Sequence, residues 1–253
     1  MVYLILVLLF SHLFTDFVLQ NDDLAERKKQ AGSKGLRALG WHSLVFFITS
    51  ISVYLIVFVW LLQSYNMIIS NVFFILVLSI SHLIIDFAKT RLETKDNKLY
   101  LFITDQILHV VAILIVIYIL YPLNALKAYN YLIGYLNGVN QLKPLLNPLQ
   151  KVLFISSMLI IVTSFSNVLI QLSIKPIKDT ITKNTSNNND DNKELKIGRY
   201  IGSYERLLTV IAIYLNSYQS LVGLYGIKTA ARFKKIEEDP DFAEYYLLAQ
   251  VSI

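Results

Sequence analysis

The sequence predicts an all-α, polytopic membrane protein: a four-helix core of two duplicated helix pairs, with one or more further spans and C-terminal helices beyond it. Three observations lead there. The 253-residue chain is 55% hydrophobic and only 16% charged, against about 45–50% and about 25% in soluble domains. Its apolar residues fall in blocks of roughly 20, the number that crosses a bilayer core at about 1.5 Å per residue. Inside those blocks one pattern occurs twice, as Ser11-His12-Leu13-Phe14-Thr15-Asp16-Phe17 and as Ser81-His82-Leu83-Ile84-Ile85-Asp86-Phe87.

The first span covers about 2–20. It has no basic segment ahead of the apolar run and no small-residue cleavage site, so a retained helix is expected rather than a signal peptide. A polar segment, 21–39, follows with Arg27, Lys28, Lys29, Lys34 and Arg37, broken by Gly32 and Gly35. The second span runs from Trp41, an interfacial anchor, to about 62, and the connection after it holds no Lys or Arg up to 70. A third span, 72–88, runs into Lys89, Arg91, Lys95 and Lys98, and a fourth, 99–121, is closed by Pro122. The two basic connections must share one side. The excess of Lys and Arg on cytoplasmic loops makes that side the cytoplasm and leaves the N-terminus outside the inner membrane.

This four-helix core, 1–122, precedes an external loop and fifth span, 123–181. The stretch 182–197 is polar and of low complexity and reads as a flexible linker. Membrane-associated C-terminal helices are expected over 198–253. The apolar run 207–227 is flanked by basic residues on both sides, so a re-entrant segment and a crossing against the charge rule both remain open.

The net charge of +5 sits mostly in short loops, as a topology signal rather than a nucleic-acid surface. Cysteine is absent, which excludes disulfides and thiolate metal sites.

The candidate site follows from helical periodicity. Residues four apart share a helix face, so His12 with Asp16, His82 with Asp86 and Asp105 with His109 each present an imidazole beside a carboxylate. His42 follows His12 by thirty positions and His109 follows His82 by twenty-seven, which suggests a duplicated helix pair. All seven groups fall within roughly 15 Å of the expected cytoplasmic surface. Gln20, one helical step beyond Asp16, and Gln106, beside Asp105, are expected to orient them.

Imidazole and carboxylate together suit zinc, manganese or iron. His12, Asp16, His42, His82, Asp86, Asp105 and His109 are the expected metal ligands, with one of Asp16, Asp86 and Asp105 left as general base. The plainer alternative is a set of hydrogen-bonded pairs that hold helices together, or, for His42, a polar ring at the interface. Lys89 reads as a flank residue reaching for the interface, and Glu205-Arg206 as an interfacial ion pair.

On these residues the chain resembles a bacterial membrane-protein family known as domain of unknown function 3307. The carriers are Ser11-His12-Leu13 with Asp16 and Gln20, Trp41-His42, Ser81-His82-Leu83 with Asp86 and Lys89, and Asp105-Gln106 with His109. Ile201-Gly202 with Glu205-Arg206, Lys228 with Arg232-Phe233, and Glu244-Tyr245 are similar to the C-terminal region that often accompanies it. The His-x-x-x-Asp pattern is more loosely similar to membrane-bound metal-dependent hydrolases of bacteria. That similarity implies hydrolysis of a lipid-linked or membrane-partitioning ester or phosphoester. A metal-ion or proton carrier using the same pairs is the alternative, although the outer halves of the spans are almost wholly apolar. A membrane scaffold or regulatory protein that docks a cytosolic partner through its C-terminal region is the third. Membrane lipid is an expected partner in each, and nucleic acid in none.

Overall fold

α1 (Val2–Phe14) widens into a π-helical turn, Thr15–Leu19, and ends where Gln20 turns extended. The computed structural model describes residues 2–65, 67–94, 96–121, 147–181 and 188–238, with Ala243 and Tyr246; within 174–181 and 188–199, and at 231 and 235, it describes the backbone alone. The external-loop reading of 123–146, the 182–187 part of the linker and most of 239–253 lie outside these residues.

α2 (Asp22–Lys28) is a short helix within the predicted polar segment. The Asn21 side chain caps it by accepting the Leu24 N–H at 2.8 Å. Asp22 and Asp23 open it and Arg27 and Lys28 close it, which suits the helix dipole at both ends. α3 then starts at Ser33, eight residues before the expected Trp41, and runs to Tyr54 and on through a π-helical stretch, Leu55–Leu61. Two glycines make that early start possible. Gly32 has φ +73°, and a Cβ on Gly35 would lie 2.0 Å from the Gln30 carbonyl oxygen, so only glycine fits the bend between α2 and α3.

α4 (Ile68–Leu92) extends the third span by four residues at each end, and α5 (Lys98–Leu120) matches the fourth to within one residue. α6 (Pro148–Ile160) follows, then a third π-helical turn, Ile161–Phe165, and α7 (Ser166–Ile181). Among the described residues, five helical stretches are long and apolar enough to cross a membrane: Val2–Leu19, Ser33–Leu61, Ile68–Leu92, Lys98–Leu120 and Pro148–Ser173. There is no strand among the described residues. The chain is an all-α, multi-pass membrane protein.

The chain divides into two compact units, Met1–Ile160 and Ile161–Ile253. In the first, α1 packs on α3, α3 on α4, α4 on α5 and α5 on α1, a closed ring with α6 added against α1. Leu4, Val7, Leu8, Phe46, Ile75, Leu78, Ile113, Val116 and Ile117 fill its middle. Lipid tails are as apolar as these side chains, so the ring is held by close packing and interhelical polar contacts rather than by expulsion of water. One such contact lies at the end away from α2. Asn71, 1% exposed, donates to the Tyr54 hydroxyl at 2.9 Å and accepts from Tyr121 at 3.2 Å, tying α3, α4 and the end of α5 together.

In the second unit α8 (Asn188–Tyr214) and α9 (Tyr218–Glu238) form a hairpin. The apolar run 207–227 is therefore not one helix. It breaks between α8 and α9, where Asn216 takes φ +54°. Residues 188–197, expected as part of a flexible linker, have helical backbone at the start of α8; the sequence places Asp190 and Asp191 in the first turn, where the dipole favours negative charge.

Glu205 and Arg206 do not pair. Neighbours on a helix point in different directions, and Glu205 instead accepts from Lys228 of α9 at 2.6 Å. Arg206 donates to the Val162 carbonyl at 2.8 Å and to Asn167 Oδ1, binding the π-helical turn to α8.

Candidate metal centre

Each helix of the ring delivers its polar side chains to one layer. His12 and Asp16 come from α1 and its π turn, His42 from α3, His82 and Asp86 from α4, and Asp105 and His109 from α5. The layer lies toward the end of the bundle that carries α2 and the connection from α4 to α5. The four imidazoles are at most 3% exposed, as are Asp86 and Asp105.

The seven predicted residues converge, and six of them form three overlapping groups. His12, His82 and His109 make one; Asp16, His42 and His82 another; Asp16, Asp105 and His109 the third. In each, one ligand atom per residue lies within 4.8 Å of the others, a spread that a single ion with ligands at about 2.0–2.2 Å can close with small side-chain movements. Asp86 belongs to none of these groups. Its Oδ2 is held by the Lys28 ammonium at 2.6 Å, while its Oδ1 lies 3.6 Å from His109 Nε2.

The layer holds three carboxylates and two ammonium groups, Lys28 on Asp86 and Lys89 on Asp105, and so is short of one positive charge. His82 Nδ1 and His109 Nδ1 approach to 3.2 Å. If one donates to the other, neutral imidazoles leave a lone pair on the far Nε2 of the donor. That lone pair would face carboxylates in either choice: His109 Nε2 is 3.5 Å from Asp105 Oδ1, and His82 Nε2 is 3.5 Å from Asp16 Oδ1. If both nitrogens instead share a cation, tetrahedral ligands at about 2.1 Å stand about 3.4 Å apart, close to the observed separation. His12 Nδ1, His82 Nε2, His109 Nε2 and Asp105 Oδ1 are all buried without a hydrogen-bond partner. Such atoms are costly in a protein interior unless a cation or proton serves them.

Gln106 lies among the side chains of the layer. Its Oε1 lies 3.3 Å from His12 Nε2, and its Nε2 donates to Asp105 at 3.1 Å and to Asp16 at 3.5 Å. Gln20 makes none of these contacts, and its Oε1 is buried without a hydrogen-bond partner. The π turn is the reason: an i→i+5 turn holds more residues than an α turn, so a position eight beyond His12 leaves the face that His12 begins.

Two lysines complete the layer, and the sequence did not single out either as part of it. Lys28 of α2 is buried against Asp86. Lys89, read as reaching for the interface, turns inward and donates to Asp105 Oδ2 at 2.7 Å. Lys28 stands in a run of three basic residues with no feature to mark it out. Lys89 lies three positions after Asp86 on α4, and that spacing was a usable signal.

The Phe46 ring stacks on His82, with centroids 4.7 Å apart. Phe46 and Ile113 close the apolar side of the layer around a cavity of about 10 Å³ bordered by His12, His82 and His109, about the space one water needs. A family described as a protein of unknown function (DUF3307) matches residues 4–134, which includes every residue of the layer. No curated protein and no solved structure matches the chain.

Proposed function

The chain belongs to that family of proteins of unknown function (DUF3307), and we propose that its buried layer is a divalent-metal centre with hydrolytic chemistry. His12, His82 and His109 hold a zinc, manganese or iron ion, and Asp16, Asp105 and His42 border it. The observation that carries this reading is the 3.2 Å approach of His82 Nδ1 to His109 Nδ1, close to the spacing of two ligands on one ion. A bound divalent ion supplies Lewis acidity and lowers the pKa of a water molecule.

The protein's own groups do the rest. Gln106 fixes the His12 ring and steadies Asp16 and Asp105. Asp105 Oδ1, 3.5 Å from His109 Nε2, steadies that ring, and Asp16, toward the open side of the layer, is the carboxylate placed to accept a proton from water. Phe46 keeps water off the apolar side of the rings. The substrate is a lipid-linked or membrane-partitioning ester or phosphoester, reached from the side of Lys89 and Asp16, whose side chains are 25% and 9% exposed. The Lys- and Arg-rich segments support a cytoplasmic position for this end in a bacterial inner membrane, with the N-terminus outside.

A second reading has one observation in its favour. Lys28 and Lys89 already neutralise two of the three carboxylates, so one proton would serve the remaining charge as well as a metal would. The centre would then be a proton or cation relay. Beyond the layer the buried Ser50 and Asn71 stand among apolar side chains such as Leu8, Phe46, Leu78 and Ile113, and that apolar predominance weighs against a carrier.

Elemental analysis of protein purified without an affinity metal step separates the two. About one metal per chain, lost in His82→Ala and in His109→Ala, supports the metal centre. Folded protein that takes up no zinc, manganese or iron after reloading overturns it and leaves the relay.

A further inference from the structure

The charge of the layer identifies the class of ligand it takes; this rests on the metal reading above. Three carboxylates, Asp16, Asp86 and Asp105, face two ammonium groups, Lys28 Nζ at 2.6 Å from Asp86 and Lys89 Nζ at 2.7 Å from Asp105. Imidazoles that ligate a metal are neutral. A divalent ion therefore converts one negative charge in excess into one positive charge in excess. An uncompensated charge in a water-poor interior is costly, so the loaded centre is completed by a ligand with a single negative charge.

The lysines have capacity to receive it. An ammonium group carries three N–H donors, and each lysine has one carboxylate partner among the described residues. Lys89 is the open one of the two, with its side chain 25% exposed against 8% for Lys28. A ligand entering from that side meets Lys89 first. Among membrane-partitioning esters the charges differ by class. A carboxylic ester is neutral, a phosphomonoester is largely dianionic at neutral pH, and a phosphodiester carries one charge shared by two free oxygens.

We infer that the centre binds a singly charged phosphodiester, whose free oxygens are received between the metal position and the ammonium groups of Lys28 and Lys89. Those two lysines are then specificity-determining residues, and not only counterions of Asp86 and Asp105.

Metal affinity reads this directly, because a ligand that binds the loaded centre must tighten the metal by the same factor. Zinc affinity of the full chain is measured in nanodiscs of digalactosyldiacylglycerol, a neutral bilayer lipid without phosphate, doped with phosphatidylglycerol, with phosphatidic acid, or with an alkyl carboxylate at equal surface charge. Phosphatidylglycerol is expected to tighten zinc about fivefold or more relative to the carboxylate, and phosphatidic acid less. Dibutyl phosphate added to undoped discs separates the sources. An equal gain means that the headgroup is recognised alone, a smaller gain that the lipid is required, and either supports the inference.

Lys28→Gln and Lys89→Gln each make the loaded centre neutral, so each is expected to bind zinc more tightly in undoped discs and to lose the phosphatidylglycerol effect. Lys28→Arg and Lys89→Arg keep the effect. Zinc affinity that ignores lipid class, or that follows surface charge alone, overturns this inference and leaves the metal centre standing. No zinc binding in any disc overturns both.

Discussion

His82 of α4 and His109 of α5 meet through their Nδ1 atoms at 3.2 Å, with ring centroids 4.2 Å apart. Two neutral rings held this way direct a lone pair at a carboxylate, so the pair is stable only with a cation or an extra proton close by. A ligand that binds the folded state alone, at a hundred times its dissociation constant, stabilises by about 2.7 kcal/mol. Chelator treatment of the metal-loaded protein should lower its thermal midpoint in detergent, and His109→Gln should have a midpoint that chelator does not change.

Gln106 touches three members of the layer without belonging to any of the ligand groups. Partners that orient metal ligands typically change affinity by about 10–100-fold when removed. Gln106→Leu should weaken zinc binding by about that factor while the helical circular dichroism is retained. An unchanged affinity would remove Gln106 from the centre.

Lys28 is a buried cation on a buried carboxylate, whereas Arg27 beside it pairs with an exposed Asp23 on its own helix. Removing one member of a buried pair costs about 3–5 kcal/mol, against about 0.2–1 kcal/mol for an exposed pair. In metal-free protein Lys28→Met should melt well below the parent and Arg27→Ala close to it. Zinc should restore part of the Lys28→Met loss, because it brings positive charge back beside Asp86.

The Tyr54–Asn71–Tyr121 contact is separated from the histidines by the apolar packing of the ring. Asn71→Leu should destabilise by roughly 0.6–1.7 kcal/mol, the range of interhelical hydrogen bonds in membranes, with zinc affinity unchanged. A change in zinc affinity would show that the two polar layers are coupled.

Orientation is accessible because the chain has no cysteine. Lys34 and Tyr65 lie at opposite ends of the α3 stretch and are exposed. In intact cells an impermeant thiol reagent should label Tyr65→Cys from outside and leave Lys34→Cys unlabelled until the membrane is opened. The reverse result would place the basic segments outside.

Much of the candidate site was legible before any fold was known. A His and an Asp four apart inside hydrocarbon-length runs are too costly to occur without partners, and the pairs His12–Asp16, His82–Asp86 and Asp105–His109 marked three helices of the ring, with the lone His42 on the fourth. Other details were hidden. The start of α3 at Ser33 depends on the bend at Gly32 and Gly35, and the loss of Gln20 from the face depends on the π turn. Neither changes the hydropathy on which a span is judged. The duplication is also imperfect. α4 stays regular where α1 widens, and Ala38 stands four before His42 where Asp105 stands four before His109.

The sequence by itself determined which segments are membrane helices and which of their side chains must turn away from lipid, because length and hydropathy act along the chain and the cost of a bare charge in hydrocarbon leaves little choice. Only the tertiary structure decided which charge answers which. Lys28 reaches Asp86 across 58 positions of sequence, while Arg27 and Lys29 beside it face outward to Asp23 and Glu93. Ion pairs and hydrogen bonds act over a few ångströms, and those distances are set by the bend at Gly32 and by the order of helices in the ring.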